Sequence, residues 1–210
     1  MKAHRLKISV ILNFLFIIGI FIGLFLCRDW IYERFVGKKQ TKIVMYGDSL
    51  TEHGKWNYLL SRADIKNSGF GGHTTSHLLV MLDQRVLVYK PKICFLLGGI
   101  NDINFGIPLP RTLKNMNSII DKLQERNISV VLQSVLYTTD PNNSIEIEAM
   151  NDSLMVMAKQ QKISFININP EISKNKLLIA SFSKDGLHLT KAAYPHWAGL
   201  IKGYLAANNL

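Results

Sequence analysis

Short, wholly apolar runs that stop on glycine, separated by stretches of helical period, constrain this sequence more than any other feature. Ile43-Val44-Met45-Tyr46 ends in Gly47, and Ile93-Cys94-Phe95-Leu96-Leu97 ends in Gly98-Gly99. Neither run alternates apolar with polar, so both faces of such a strand must be covered. A weaker strand is expected over 64–67, closed by Ser68-Gly69-Phe70-Gly71-Gly72, and further strands over 128–136 and 163–168. The spacing predicts helices over 56–62, 75–87, 110–126 and 145–161. In the third of these, Leu113, Met116, Ile119, Ile120 and Leu123 share one face. Thr190 is placed to cap a last helix running through Leu205. Strands alternating with helices imply a three-layer α/β/α, flavodoxin-like sandwich around a five-stranded parallel sheet. In such sheets, reactive groups gather beyond the carboxyl ends of the strands.

Composition narrows the function classes. Of 210 residues, 48% are hydrophobic and 19% charged, which excludes an intrinsically disordered chain. Cys27 and Cys94 are the only cysteines, too few for a disulfide framework or a cysteine-based zinc site. A P-loop and an HExxH motif are both absent, and no cofactor is expected. The net charge is +10, yet no tight Lys/Arg run exists beyond Lys38-Lys39. The basic excess therefore reads as a solvated surface, and nucleic acid is not an expected partner.

Residues 8–26 carry no charge across 19 positions, after Lys2, Arg5 and Lys7. At about 1.5 Å per residue, such a helix spans roughly the ~30 Å hydrocarbon core. The bulky Arg28, Asp29, Trp30 and Tyr32 follow instead of a small-residue cleavage site. The expectation is an uncleaved N-terminal signal anchor over 1–27 and a juxtamembrane spacer over 28–41. The domain at 42–210 would lie outside the cytoplasm, on a single-pass anchor.

Four segments carry chemistry, each expected on the rim where strands end. They are Gly47-Asp48-Ser49-Leu50, Gly69 to Thr74, Gly98-Gly99-Ile100-Asn101-Asp102, and Asp185-Gly186-Leu187-His188. Acyl transfer needs a nucleophile, a base within hydrogen-bond reach, a group that orients the base, and donors for the oxyanion. Ser49 offers the hydroxyl and His188 an imidazole, a side chain that titrates near neutrality. Asp185, three residues before it, can hold the far side of the ring. The backbone N–H groups of Ser49 and Gly72 and the side-chain amide of Asn101 are candidate oxyanion donors. His73 and His77 are four apart and suggest a metal pair, but no third ligand accompanies them, so no metal is expected.

Together these segments resemble the sequence blocks of the SGNH hydrolases, also called the GDSL esterase/lipase family, in its platelet-activating-factor acetylhydrolase-like branch. The resemblance covers about residues 42–205. Ser49 matches the nucleophile block, Gly72 the second-block glycine, Asn101 the asparagine of G-x-N-D, and Asp185 with His188 the final D-x-x-H. His73 departs from the pattern, since related sequences often carry an acidic residue there. The resemblance implies a serine esterase acting through an acyl-enzyme on short-chain or acetyl esters of a glycan, a lipid or a small molecule. An O-acyltransferase would use the same residues, and a non-catalytic surface-binding module would need none of them.

Overall fold

Five parallel strands, β1 (Ile43–Gly47), β2 (Ile65–Gly69), β3 (Ile93–Leu96), β4 (Ser129–Gln133) and β5 (Ser164–Ile166), make one sheet in the order β2-β1-β3-β4-β5. Every residue of β1 and β3 is buried, which is why both runs are apolar throughout. The register pairs Ile43 with Ile65 and with Ile93, and Ile93 with Ser129, so the strands start level and their carboxyl ends share one rim. This computed structural model describes residues 13, 16–20, 23 and 40–210.

Eight helices connect and cover the sheet: α1 (Ser49–Glu52), α2 (Trp56–Leu59), α3 (Thr75–Arg85), α4 (Ile100–Asn104), α5 (Leu109–Gln124), α6 (Ser144–Gln160), α7 (Asn169–Ile172) and α8 (Tyr194–Ala207). α5 packs against α3 and α6, while α8 packs against α2 and α7, giving two helical layers. The expected face of α5 is the one it buries, with Met116, Ile119, Ile120 and Leu123 inaccessible to solvent. The expected three-layer sandwich and five-stranded parallel sheet are therefore present.

Several boundaries differ from the sequence expectation for local reasons. The apolar run 128–136 is strand only to Gln133. Beyond it, Val135 N–H donates to Asn151 Oδ1 (2.7 Å) and Asn151 Nδ2 donates to Val135 O (2.9 Å), so a side chain replaces the neighbouring strand. Thr190 does not cap the last helix, because its Oγ1 donates to Ser181 O instead (3.3 Å). That helix starts at Tyr194, with Pro195 in its first turn. The short α4 and α7, and the hairpin of β6 (Ser173–Lys174) and β7 (Leu177–Leu178), lacked any sequence signal.

The chain divides into two units, Met1–Gln40 and Thr41–Leu210. In the first, residues 13, 16–20 and 23 are helical. The span expected over 8–26 and the spacer over 28–41 fall mostly outside the described residues. Among those described, no helix is long and apolar enough to cross a membrane.

Candidate active site

The site is assembled from three strand ends and the loop that precedes α8. β1 stops at Gly47, and α1 begins at once with Ser49 as its first residue. Asp48 is the N-cap, and its Oδ1 accepts from Leu50 N–H (3.0 Å). The turn is tight because α1 crosses directly over the end of β2. A Cβ on Gly69 would lie 2.2 Å from Glu52 N, so only glycine admits the helix there. At the other end of the chain, Tyr194 Oη donates to Leu50 O (2.8 Å) and ties α8 to the same turn.

Ser49 Oγ lies 3.0 Å from His188 Nε2, and His188 Nδ1 lies 2.7 Å from Asp185 Oδ2. With Nδ1–H donating to the carboxylate, Nε2 is left to accept the Ser49 proton. Asp185 Oδ1 also accepts from His188 N–H (2.8 Å) and Leu187 N–H (3.1 Å). These bonds, the His188 N–H first and its imidazole next, hold the Asp185 carboxyl down at about 2. The loop carrying both residues is itself pinned. Gly186 N–H donates to Ser183 Oγ (2.7 Å), Thr139 N–H donates to Gly186 O (2.8 Å), and Lys184 N–H donates to His188 O (2.9 Å). Ser49 is nearly buried at 7% exposure, whereas the Asp185 side chain is 54% exposed.

The Gly69–Thr74 loop and α4 complete the rim. Asn101 Nδ2 donates to His73 O (2.9 Å), which sets the amide against the Gly72 segment. An amide nitrogen carries two protons, so one remains for a substrate oxygen. An added Cβ at Gly72 would meet nothing within 4 Å, but the residue has φ +72°. Backbone conformation, rather than crowding, is therefore what calls for glycine at Gly72. The Ser49 N–H belongs to the first turn of a helix, where amides have no intrahelical partner. The structure thus joins Ser49, His188 and Asp185 in one hydrogen-bonded chain, and ties Asn101 to the loop that carries Gly72.

His73 and His77 stack at 5.3 Å between centroids, and His73 stacks on Phe70 at 4.4 Å. Thr74 N–H donates to His77 Nδ1 (3.2 Å), so that nitrogen serves the helix start. Partial burial, helped by His77 and Arg85, pulls the His73 imidazole below its ordinary value.

Two carboxyls escaped the sequence reading. Asp102 is fully buried and accepts from Thr75 N–H (2.8 Å), Thr75 Oγ1 and Thr112 Oγ1 (3.1 Å), clamping α3 and α5 onto α4. Nothing in the sequence pairs it with Thr75 or Thr112, 27 and 10 residues away. Asp102→Ala should strip acceptors from three buried donors and lower unfolding stability by about 2–4 kcal/mol. Urea titration checks this, and an unchanged midpoint would remove the clamp from the account. Asp48 is also fully buried, and burial pushes its carboxyl up to about 7.

The GDSL-like Lipase/Acylhydrolase family model matches residues 45–195. The chain is 26% identical over 176 residues to the platelet-activating factor acetylhydrolase IB subunit alpha1 of Rattus norvegicus, covering 78% of this chain and 76% of that one. It is 27% identical over 164 residues to an N-acylneuraminate cytidylyltransferase of Streptococcus agalactiae, covering 77% of this chain but only 38% of that protein's length. A crystal structure of a GDSL-like lipase from Bacteroides thetaiotaomicron shares the fold, with a TM-score of 0.73 at 24% identity over 81% of this chain and 90% of that one.

Proposed function

The chain belongs to the GDSL-like lipase/acylhydrolase family, and we propose on that basis that it is a serine ester hydrolase with Ser49 as its nucleophile. The observation that carries the reading is the continuous Ser49–His188–Asp185 hydrogen-bond chain. Ser49 Oγ attacks the ester carbonyl as His188 Nε2 takes its proton. The negative charge that develops on the carbonyl oxygen is met by the N–H groups of Ser49 and Gly72 and by Asn101 Nδ2. Collapse expels the alcohol, which takes the proton from His188, and leaves the acyl group on Ser49. Water then attacks the acyl-enzyme with His188 again as base, releasing the acid and restoring Ser49. Asp185 holds the ring's tautomer and steadies the imidazolium in both halves.

The substrate class is a short-chain or acetyl ester of a glycan, lipid or small molecule. The name of the acetylhydrolase relative supports the acetyl preference. A panel of p-nitrophenyl esters of increasing acyl length, with an acetylated polysaccharide, tests this. Turnover should be highest on acetyl, and no hydrolysis of any member would overturn the reading.

Asn101→Ala should lower kcat by roughly 10²–10³ with a smaller change in KM, because its amide acts most on the developing oxyanion. Steady-state kinetics on p-nitrophenyl acetate checks this, and an unchanged kcat would move the oxyanion role elsewhere.

The apolar residues 8–26 support a single-pass anchor with the hydrolase unit outside the cytoplasm. Carbonate washing should leave the full chain in the membrane, and protease added to intact spheroplasts should remove the hydrolase unit. Release by carbonate would sink the anchor, and protection from protease would sink the orientation.

A further inference from the structure

Every strand of the sheet is entered through a turn that carries a basic side chain. Lys42 precedes β1, Arg62 lies ahead of β2, Lys90 and Lys92 ahead of β3, Arg126 ahead of β4, and Lys162 ahead of β5. All five strands are parallel, so these turns gather at the end of the sheet opposite Ser49. Main-chain bonds stitch them together. Lys42 N–H donates to Asp64 O (2.9 Å), Lys92 N–H to Lys42 O (2.8 Å), and Ser129 N–H to Lys92 O (3.0 Å). Lys42, Lys90, Lys92, Arg126 and Lys162 are exposed. Arg62 shares a shallow cleft with Lys42 and Lys92 and pairs with Asp64 (2.8 Å). Apart from Asp64, Glu125 is the one acidic side chain in these turns. The loops that leave the five strands for the next helix carry no Lys or Arg at all.

Basic side chains at this end also complement helix C-termini, whose dipoles are negative. That does not account for where two of them stand. Lys90 and Lys162 have φ +47° and +54°, a region in which Gly or Asn is the easy choice. A neighbouring position would complement the dipole without the left-handed backbone. The charge sits where conformation disfavours it, which points to a use outside the fold.

We propose that this basic end of the sheet docks on the anionic headgroups of a membrane and holds the Ser49 rim away from the bilayer. The chain reaches β1 through this same end, after Lys38-Lys39 and the apolar residues 8–26. The proposal therefore rests in part on the anchor reading above. It also assigns the substrate to the aqueous side, since an ester in the same bilayer lies at the far end of the sheet. Each basic residue held near an anionic leaflet strengthens contact about fivefold.

The full chain, carrying Cys27→Ser, is labelled with a dye at Ala63→Cys in the basic turns or at Ala192→Cys beside the His188 loop. Both positions are exposed, and Cys94 is buried and stays unlabelled. The protein is reconstituted into vesicles of phosphatidylcholine alone or with about 30% phosphatidylglycerol, each containing a headgroup spin-labelled lipid as quencher. The dye at position 63 should be quenched at least twofold more with phosphatidylglycerol. The difference should vanish in about 0.5 M NaCl and in the combined variant Lys42→Glu, Lys92→Glu, Arg126→Glu, Lys162→Glu. The dye at position 192 should be unquenched in both lipids, and p-nitrophenyl acetate hydrolysis by the charge-reversed variant should be unchanged. Equal quenching at 63 in both lipids, anion-dependent quenching that survives charge reversal, or stronger quenching at 192 would overturn the proposal. Failure of the full chain to float with phosphatidylcholine vesicles would instead refute the anchor, and the anion-dependent quenching at 63 would still decide the docking.

Discussion

Ser49→Ala is expected to lower ester turnover by roughly 10⁴–10⁶, leaving only what binding and the oxyanion donors supply without a nucleophile. The size of the effect follows from the geometry. Ser49 is the one hydroxyl within 3.0 Å of His188 Nε2 among the described residues, and it is fixed at the head of α1 by the Asp48 cap and the Gly69 crossing. Alanine fits the same turn and leaves the cap bond from Leu50 N–H to Asp48 intact. The variant should therefore fold with an unchanged circular dichroism spectrum and melting temperature. Burst and steady-state kinetics on p-nitrophenyl acetate check it, and turnover within tenfold of the parent would remove Ser49 from the mechanism.

Asp185→Asn carries the second largest expected effect, a drop in kcat of roughly 10³ with little change in KM. An asparagine amide can still accept from the loop N–H groups that Asp185 Oδ1 serves. It cannot balance the imidazolium that forms when His188 takes the Ser49 proton. The side chain is half exposed, so solvent screens part of the interaction, and the loss should be smaller than at Ser49. The pH dependence follows from the lowered Asp185 value. A depressed carboxyl is ionised in the native state well below its ordinary value, and its contribution is lost only as pH falls through about 2. Acid-side loss of kcat/KM between pH 5 and 7 must then come from a group other than Asp185. The Asp185→Asn variant should keep an acid limb at a lower height, displaced toward lower pH because the carboxylate that steadies the imidazolium is gone. A limb left at the same pH in the variant would contradict a role for that hydrogen bond.

Much of this architecture was legible because the decisive signals are local. Runs such as Ile43 to Tyr46 and Ile93 to Leu97 are apolar throughout since both sheet faces are covered, and the glycines that close them mark the rim. The motif residues Ser49, Gly72, Asn101, Asp185 and His188 could be picked out because each sits in a short block next to a strand end or the last helix. What stayed hidden depends on partners distant in the chain. Asp102 gives no sign of its clamp until Thr75 and Thr112 are seen to donate to it. Val135 reads as strand until Asn151 is seen to occupy its backbone. Tyr194 gives no hint of reaching Leu50, 144 residues away. α4, α7 and the β6–β7 hairpin are too short for any periodicity to show.

Covalent trapping identifies the nucleophile itself. The protein is treated with a fluorophosphonate, digested and read by mass spectrometry. One stoichiometric adduct is expected on the peptide containing Ser49, with loss of hydrolysis in step with labelling and no adduct in Ser49→Ala. An enzyme that hydrolyses esters while Ser49 stays unmodified, or an adduct on any other residue that tracks the loss of activity, would contradict Ser49 as the nucleophile.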